Sequence, residues 1–114
     1  MATEPANDPL LIDAKELKKA ANYFRAINND YRCRMLNLLH IHKELTVKEL
    51  YTKLRSDQSK ASVHLAILRE AHLVNARREG KSVYYSVNYL QIEQLHSVAK
   101  ELEKSKKDRL NNRW

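Results

Sequence analysis

Gln58, Ser59, Ser62 and Val63 stand close together in the stretch 57–70, and their side chains suit contact with flat polar edges. Ala61, Leu65 and Leu68 recur about one turn apart through the same stretch, the spacing of a helix with one buried face. That spacing turns Gln58, Ser59, Ser62 and Val63 outward, near the helix N-terminus. A glutamine amide can pair bidentately with an adenine edge. A serine hydroxyl can bond a base or a phosphate, and a valine methyl can touch a thymine methyl. Arg55 and Lys60 suit backbone phosphates, which add affinity but little sequence information. Arg77, Arg78 and Lys81 crowd a short segment around Gly80, a basic tip suited to phosphates or a narrow minor groove. Taken singly, outward Gln and Ser are ordinary helix surface, and a charged tip is an ordinary solvated turn. Their combination with a net charge of +7 over 114 residues points to double-stranded DNA.

Other chemistries have less support. There is no nucleophile with a base beside it, no carboxylate pair in a plausible pocket and no glycine-rich phosphate loop, so no enzyme activity is expected. Cys33 and His40 are seven residues apart, on one helix face but separated by about 10 Å, too far to share a metal. His42 lies off that face, so no metal or cofactor is expected. The single cysteine excludes an internal disulfide and fits a reducing compartment. No apolar run approaches a membrane span and no basic-then-apolar leader opens the chain, so the cytoplasm is the expected location, with no membrane partner.

The elements that must position these residues are mainly helical, since the chain has one glycine and two prolines. Residues 1–12 read as a loose arm, 13–104 as one domain and 105–114 as a basic tail that frays, with Trp114 free to dock. Asp13 is a candidate cap for a first helix to about Asn28, carrying Leu17, Ala20, Ala21, Phe24 and Ile27. Asp30 can cap a second helix, with Met35, Leu36, Leu38 and Leu39 buried. Thr46 and Glu49 form a capping box for a short third helix. Ser56 or Asp57 caps the fourth, which ends near Ala71. Leu73 to Arg78 and Ser82 to Val87 read as strands around Gly80, the residue that a hairpin turn with positive φ needs. A last helix from about Tyr89 to Lys104 carries Ile92, Leu95, Val98, Ala99 and Leu102. The order helix, helix, helix, helix, strand, strand, helix is a winged helix-turn-helix, mainly α with a small β-hairpin.

The segment 54–87 resembles the core of the ArsR/SmtB bacterial repressors. The resemblance rests on Asp57-Gln58-Ser59, Ser62-Val63-His64-Leu65, Leu68-Arg69, Leu73-Val74, Arg77-Arg78-Glu79-Gly80-Lys81 and Val83-Tyr84-Tyr85, unbroken in spacing. With the flanking helices it covers about residues 13–104. It implies a homodimer built on the first and last helices, with Tyr23, Phe24, Ile27, Leu95, Val98, Ala99 and Leu102 as candidate interface residues. The apolar stripes of those two helices, longer than a lone small core can cover, agree with it. A two-fold dimer sets two recognition helices about 34–36 Å apart and calls for an inverted-repeat operator.

The resemblance does not extend to the family's metal sensors. Thr46 and Lys48 stand where one sensor has cysteines, and Tyr89, Gln91, Leu102 and Ser105 where another has its ligands. The signal stays open between a small molecule, a partner protein, oxidation of Cys33 and the chain's own concentration. His64 and His96 read as packed histidines. The expectation is a dimeric, sequence-specific transcriptional regulator, most simply a repressor. A protein-interaction module and a non-specific DNA-coating protein are the alternatives.

Overall fold

The computed structural model describes residues 14–111, with the backbone alone at position 102 and at 105–111. Asp13 as a cap, the arm at 1–12, the Leu102 side chain and the docking of Trp114 lie outside the described residues.

The order is α1 (Ala14–Ile27), α2 (Asp30–His42), β1 (Leu45–Thr46), α3 (Val47–Lys53), α4 (Gln58–Glu70), β2 (Val74–Glu79), β3 (Ser82–Val87) and α5 (Tyr89–Asn111). The winged helix-turn-helix is as expected, with a third strand added. The sheet is antiparallel in the order β1-β3-β2, with Leu45 opposite Tyr85 and Thr46 opposite Tyr84. β2 and β3 pair from Val74↔Val87 to Glu79↔Ser82, leaving Gly80 and Lys81 as a two-residue loop. Gly80 takes φ 62° with open space around it, so it is backbone conformation and not crowding that favours glycine there.

Caps set the helix starts. Asn29, not Asp30, caps α2: its backbone is extended at φ −160° and its side chain accepts from the Arg32 amide. Asp30 is already helical, with its charge in the first turn, where the helix dipole favours it. Thr46 and Glu49 form the expected capping box on α3, and Asp57 caps α4 by accepting from the Lys60 amide. Asn88 opens α5 by accepting from the Gln91 amide. α5 continues past Lys104 to Asn111, because no Gly or Pro interrupts it and Lys, Arg and Leu tolerate a helix well.

Three helices are followed by a non-glycine residue at positive φ, the first being Lys43 after α2 at φ 75°. After α3, Arg55 takes φ 54°, its amide bonds Thr52 O and the Ser56 amide bonds Tyr51 O. After α4, His72 takes φ 60°, its amide bonds Arg69 O and the Leu73 amide bonds Leu68 O. The last two are Schellman ends, and the one at His72 closes on the fully buried pair Leu68 and Leu73. A non-glycine residue in this conformation costs about 1–2 kcal/mol. His72→Gly is therefore expected to raise stability by about 1 kcal/mol in urea unfolding. The control His72→Ala, which keeps a Cβ, should give no such gain, and equal midpoints for the two variants would refute the account.

The core gathers Met35 and Leu39 of α2, Leu50 of α3, Ala61, Leu65 and Leu68 of α4, Leu73, and Leu95 of α5. Tyr23 and Leu95, expected at a dimer interface, belong to this core instead, at 8% and 2% exposure. They are spent inside one chain because α1 packs directly on α5. Ile27, Val98 and Ala99 are half-buried, and Phe24 is exposed beside Leu17. Leu17, Ala21 and Phe24 thus form the open apolar stripe of α1.

Candidate nucleic-acid interface

α4 presents the face that its periodicity requires. Ala61, Leu65 and Leu68 are buried, while Gln58, Ser59, Ser62 and Val63 are exposed at its N-terminal half. Val63 is 60% exposed, an apolar side chain with no core role. Arg55 sits at the α3–α4 turn, exposed. Lys60 holds its ammonium 4.7 Å from the centre of the Tyr31 ring.

Beneath these residues is a polar layer joining the N-terminal parts of α2 and α4. Tyr31 donates its hydroxyl to Ser56 Oγ at 3.0 Å and packs its ring on His64 at 4.6 Å. Arg32 is the buried charge of this layer. Its Nε donates to Ala26 O at 2.6 Å and its Nη2 to Arg25 O at 3.2 Å, the last carbonyls of α1. Its Nη1 lies 2.9 Å from His64 Nδ1. Because guanidinium only donates, His64 accepts at Nδ1 and is neutral. No sequence signal singles out Arg32, which stands between ordinary polar neighbours.

Burial, with the nearby charges of Arg32 and Lys60, lowers the His64 pKa below the ordinary 6.5. The folded state thus favours neutral His64, and the unfolded state binds more protons. Stability from this site is complete above pH 6.5 and lost as pH falls from there through the depressed folded value. Urea midpoints should fall on acidification across this window, and fall less in His64→Gln. Parallel profiles for the two proteins would remove His64 as the cause.

The wing divides its cations. Alternation along β2 and β3 puts Arg78 on the sheet face of Val83 and Tyr85, and Arg77 on that of Tyr84. Tyr85 packs against the core and, with Ser62 and Arg69, lines a groove against α4. Arg77 is engaged elsewhere. It donates Nε and Nη2 to Glu44 at 3.0 and 2.9 Å and Nη1 to Glu79 at 3.2 Å, and lies 4.9 Å from the Tyr84 ring centre. The Arg77 hydrogen bonds hold the Glu44 carboxyl below the usual range. Arg77, expected among the phosphate contacts, is thus paired within the chain while half its side chain stays exposed, and it ties the wing to the turn between α2 and β1. Among the described residues Arg78 and Lys81 have no ion pair. Glu44 had no signal in the sequence, since its partner lies 33 residues away.

Cys33 donates to Ile27 O, and His40 Nδ1 meets the Tyr89 hydroxyl at 2.7 Å. Among the described residues no three His, Cys, Asp or Glu side chains group as a metal site, and no helix is long and apolar enough to cross a membrane.

Residues 29–76, the segment holding the α2–α4 layer and the start of the wing, match the family model described as bacterial regulatory protein, arsR family. The chain is also 37% identical over 78 residues to the transcriptional activator HlyU of Vibrio cholerae, an alignment covering 68% of this chain and 71% of that protein. The chain belongs to the ArsR family. It is a winged helix-turn-helix transcriptional regulator. The solution structure of the homodimeric winged helix-turn-helix DNA-binding domain Mb0332 from Mycobacterium bovis is similar at TM-score 0.66 and 27% identity, covering 84% of this chain and 88% of that one. The crystal structure of the transcriptional repressor PagR of Bacillus anthracis is similar at TM-score 0.64 and 26% identity, covering 76% of this chain and 99% of that one. In this ArsR-family regulator, α4 occupies the recognition-helix position and the β2–β3 hairpin the wing.

Proposed function

We propose that this regulator is a cytoplasmic homodimeric repressor that occupies an inverted-repeat operator. The observation that carries this reading is the exposed edge of α4, Gln58, Ser59, Ser62 and Val63, flanked by Arg55, Lys60, Arg78 and Lys81. Gln58, Ser59, Ser62 and Val63 read bases in the major groove, and the flanking cations hold phosphates. Arg77 acts as a strut for the wing. Dimerisation uses the open stripe of Leu17, Ala21 and Phe24 on α1 with Ile27, Val98, Ala99 and Leu102, and the domain spans 13–104 with α5 continuing beyond it. The homodimeric Mb0332 domain and the repressor PagR support dimerisation and repression. The work of such a protein is occupancy of DNA, with no catalytic step.

The test is selection of bound duplexes from a random library by the purified chain at about 150 mM salt, where non-specific binding is weakened. An inverted repeat with half-sites one helical turn apart is expected. Gln58→Ala should lose about 1–3 kcal/mol of discrimination at one base position, whereas Lys60→Ala should weaken all duplexes alike. Recovery of duplexes without a shared sequence would move the weight to a DNA-coating protein. Failure to retain any duplex would favour a protein-interaction module.

A further inference from the structure

A cleft of about 220 Å³ opens between the C-terminal ends of α1 and α4, lined by Arg25 and Ala26 of α1, Arg32 of α2, and Ile67 and Glu70 of α4. It holds a buried cation. Arg32 is 8% exposed, and among the described residues no carboxylate pairs with it. Charged side chains are seldom this buried without an opposite charge. The α1 carbonyls and His64 occupy three of its five N–H donors, leaving two. Arg25, at the rim, has a neutral partner, Asn22 Oδ1 at 2.8 Å. Ala26 and Ile67 give the cleft apolar walls.

The cleft also lies to one side of a second copy. Asn22 and Ala26 lie about 140° and 180° around α1 from Leu17, away from the open apolar stripe, and Arg25 lies between them and the stripe, about 80° from Leu17. A second copy seated on Leu17 and Phe24 would border Arg25 and face away from the Ala26 wall of the cleft.

We propose that this cleft is an effector site for a small organic monocarboxylate with an apolar body. The carboxylate pairs with the Arg32 and Arg25 guanidiniums, and the body rests on Ala26 and Ile67. Glu70, which also lines the cleft, opposes a dianion such as sulfate more strongly than a monocarboxylate. Occupancy reaches the DNA-reading helix through Arg32, which holds both the end of α1 and His64 of α4. A ligand that draws the guanidinium toward the cleft competes with those hydrogen bonds and shifts α4. The effector role rests on the DNA-binding reading above.

The test follows amide and arginine side-chain NMR signals of the full, nitrogen-labelled chain during titration with benzoate and isovalerate, with benzamide and sulfate as controls. Saturable shifts are expected at the Arg32 Nε–H and at Ala26, Ile67 and Ala71, with none from the controls. Ile67→Trp, which fills the cleft from its wall, should abolish them and keep operator binding. The exposed change Arg25→Gln should weaken acid binding several-fold. Saturating acid should lower operator affinity about 5- to 150-fold in the unmodified chain, the ordinary range for coupled sites, and leave Ile67→Trp unaffected. Shifts spread over the basic surface, an equal response to benzamide, or local binding without change in operator affinity would each overturn the proposal. An operator bound normally with no local shifts sinks the effector site alone. A chain that binds no operator even without acid sinks the DNA reading instead.

Discussion

Raising salt from about 50 to about 200 mM is expected to weaken operator binding by roughly 10³- to 10⁵-fold. On the proposed reading each protomer offers four exposed cations to the DNA: Arg55, Lys60, Arg78 and Lys81. Two protomers double that set. At about 0.9 counterion released per neutralised phosphate, the slope of log affinity against log salt should be near −7. Arg77 is left out because it is already paired with Glu44 and Glu79. Arg78→Ala should therefore reduce the slope by about one for each phosphate no longer neutralised, and Arg77→Ala should change it little. Glu44→Gln, which releases Arg77 toward solvent, should steepen it. Titrations of one operator across salt distinguish these variants. Equal reductions in slope for Arg77→Ala and Arg78→Ala would show that the wing rearranges on DNA and that the Glu44 pair does not hold.

Lys60 is counted although it too has a partner. An exposed cation–π contact such as that with Tyr31 is worth only about 0.5–1 kcal/mol, and a phosphate offers full charge to the same ammonium. Arg77 has more to give up: a two-bond fork on Glu44, a further bond to Glu79 and the Tyr84 ring. Each surface ion pair is worth at most about 1 kcal/mol, but leaving would break all of them together. The difference between the two cations is thus one of accumulated partners.

The division between what the chain's order reveals and what it hides follows sequence separation. The α4 face, the Thr46–Glu49 capping box and the Gly80 turn are legible because each is settled within a few residues by periodicity or backbone geometry. β1 is hidden because two residues carry no alternation, and its partners Tyr84 and Tyr85 lie some forty positions on. The Glu44–Arg77 pair is hidden for the same reason: charge type alone does not tell a strut from a phosphate contact. Tyr23 and Leu95 are misplaced because an apolar stripe reports that a face is covered without reporting by what. The packing of α1 on α5 within one chain decides that, and shifts the open stripe to Leu17 and Phe24. Arg32 is the extreme case, a buried charge whose partners come from the end of α1 and the middle of α4.

Arg32→Ala is expected to cost about 2–4 kcal/mol, within the range of a large core truncation such as Leu68→Ala at about 2–5 kcal/mol. The loss has two parts. Two carbonyls at the end of α1, Ala26 O and Arg25 O, and the Nδ1 of His64 are left without their donor. A buried polar atom left unsatisfied costs about 1–3 kcal/mol, and water entering through the adjoining cleft offsets part of that. The apolar stem of the arginine, which fills the space between α1 and α4, is removed as well. Arg32→Lys separates charge from geometry. An ammonium keeps the charge but is a point donor on a single carbon, whereas these three acceptors surround a planar fork. Lysine should therefore recover less than half of the loss. Urea unfolding at one fixed protomer concentration measures both variants, because dimerisation would otherwise shift the midpoint. Full recovery by lysine would mean that charge at the end of α1 is what matters. A cost below that of an ordinary surface change, about 0.5 kcal/mol, would mean that α1 and α4 are held together without Arg32.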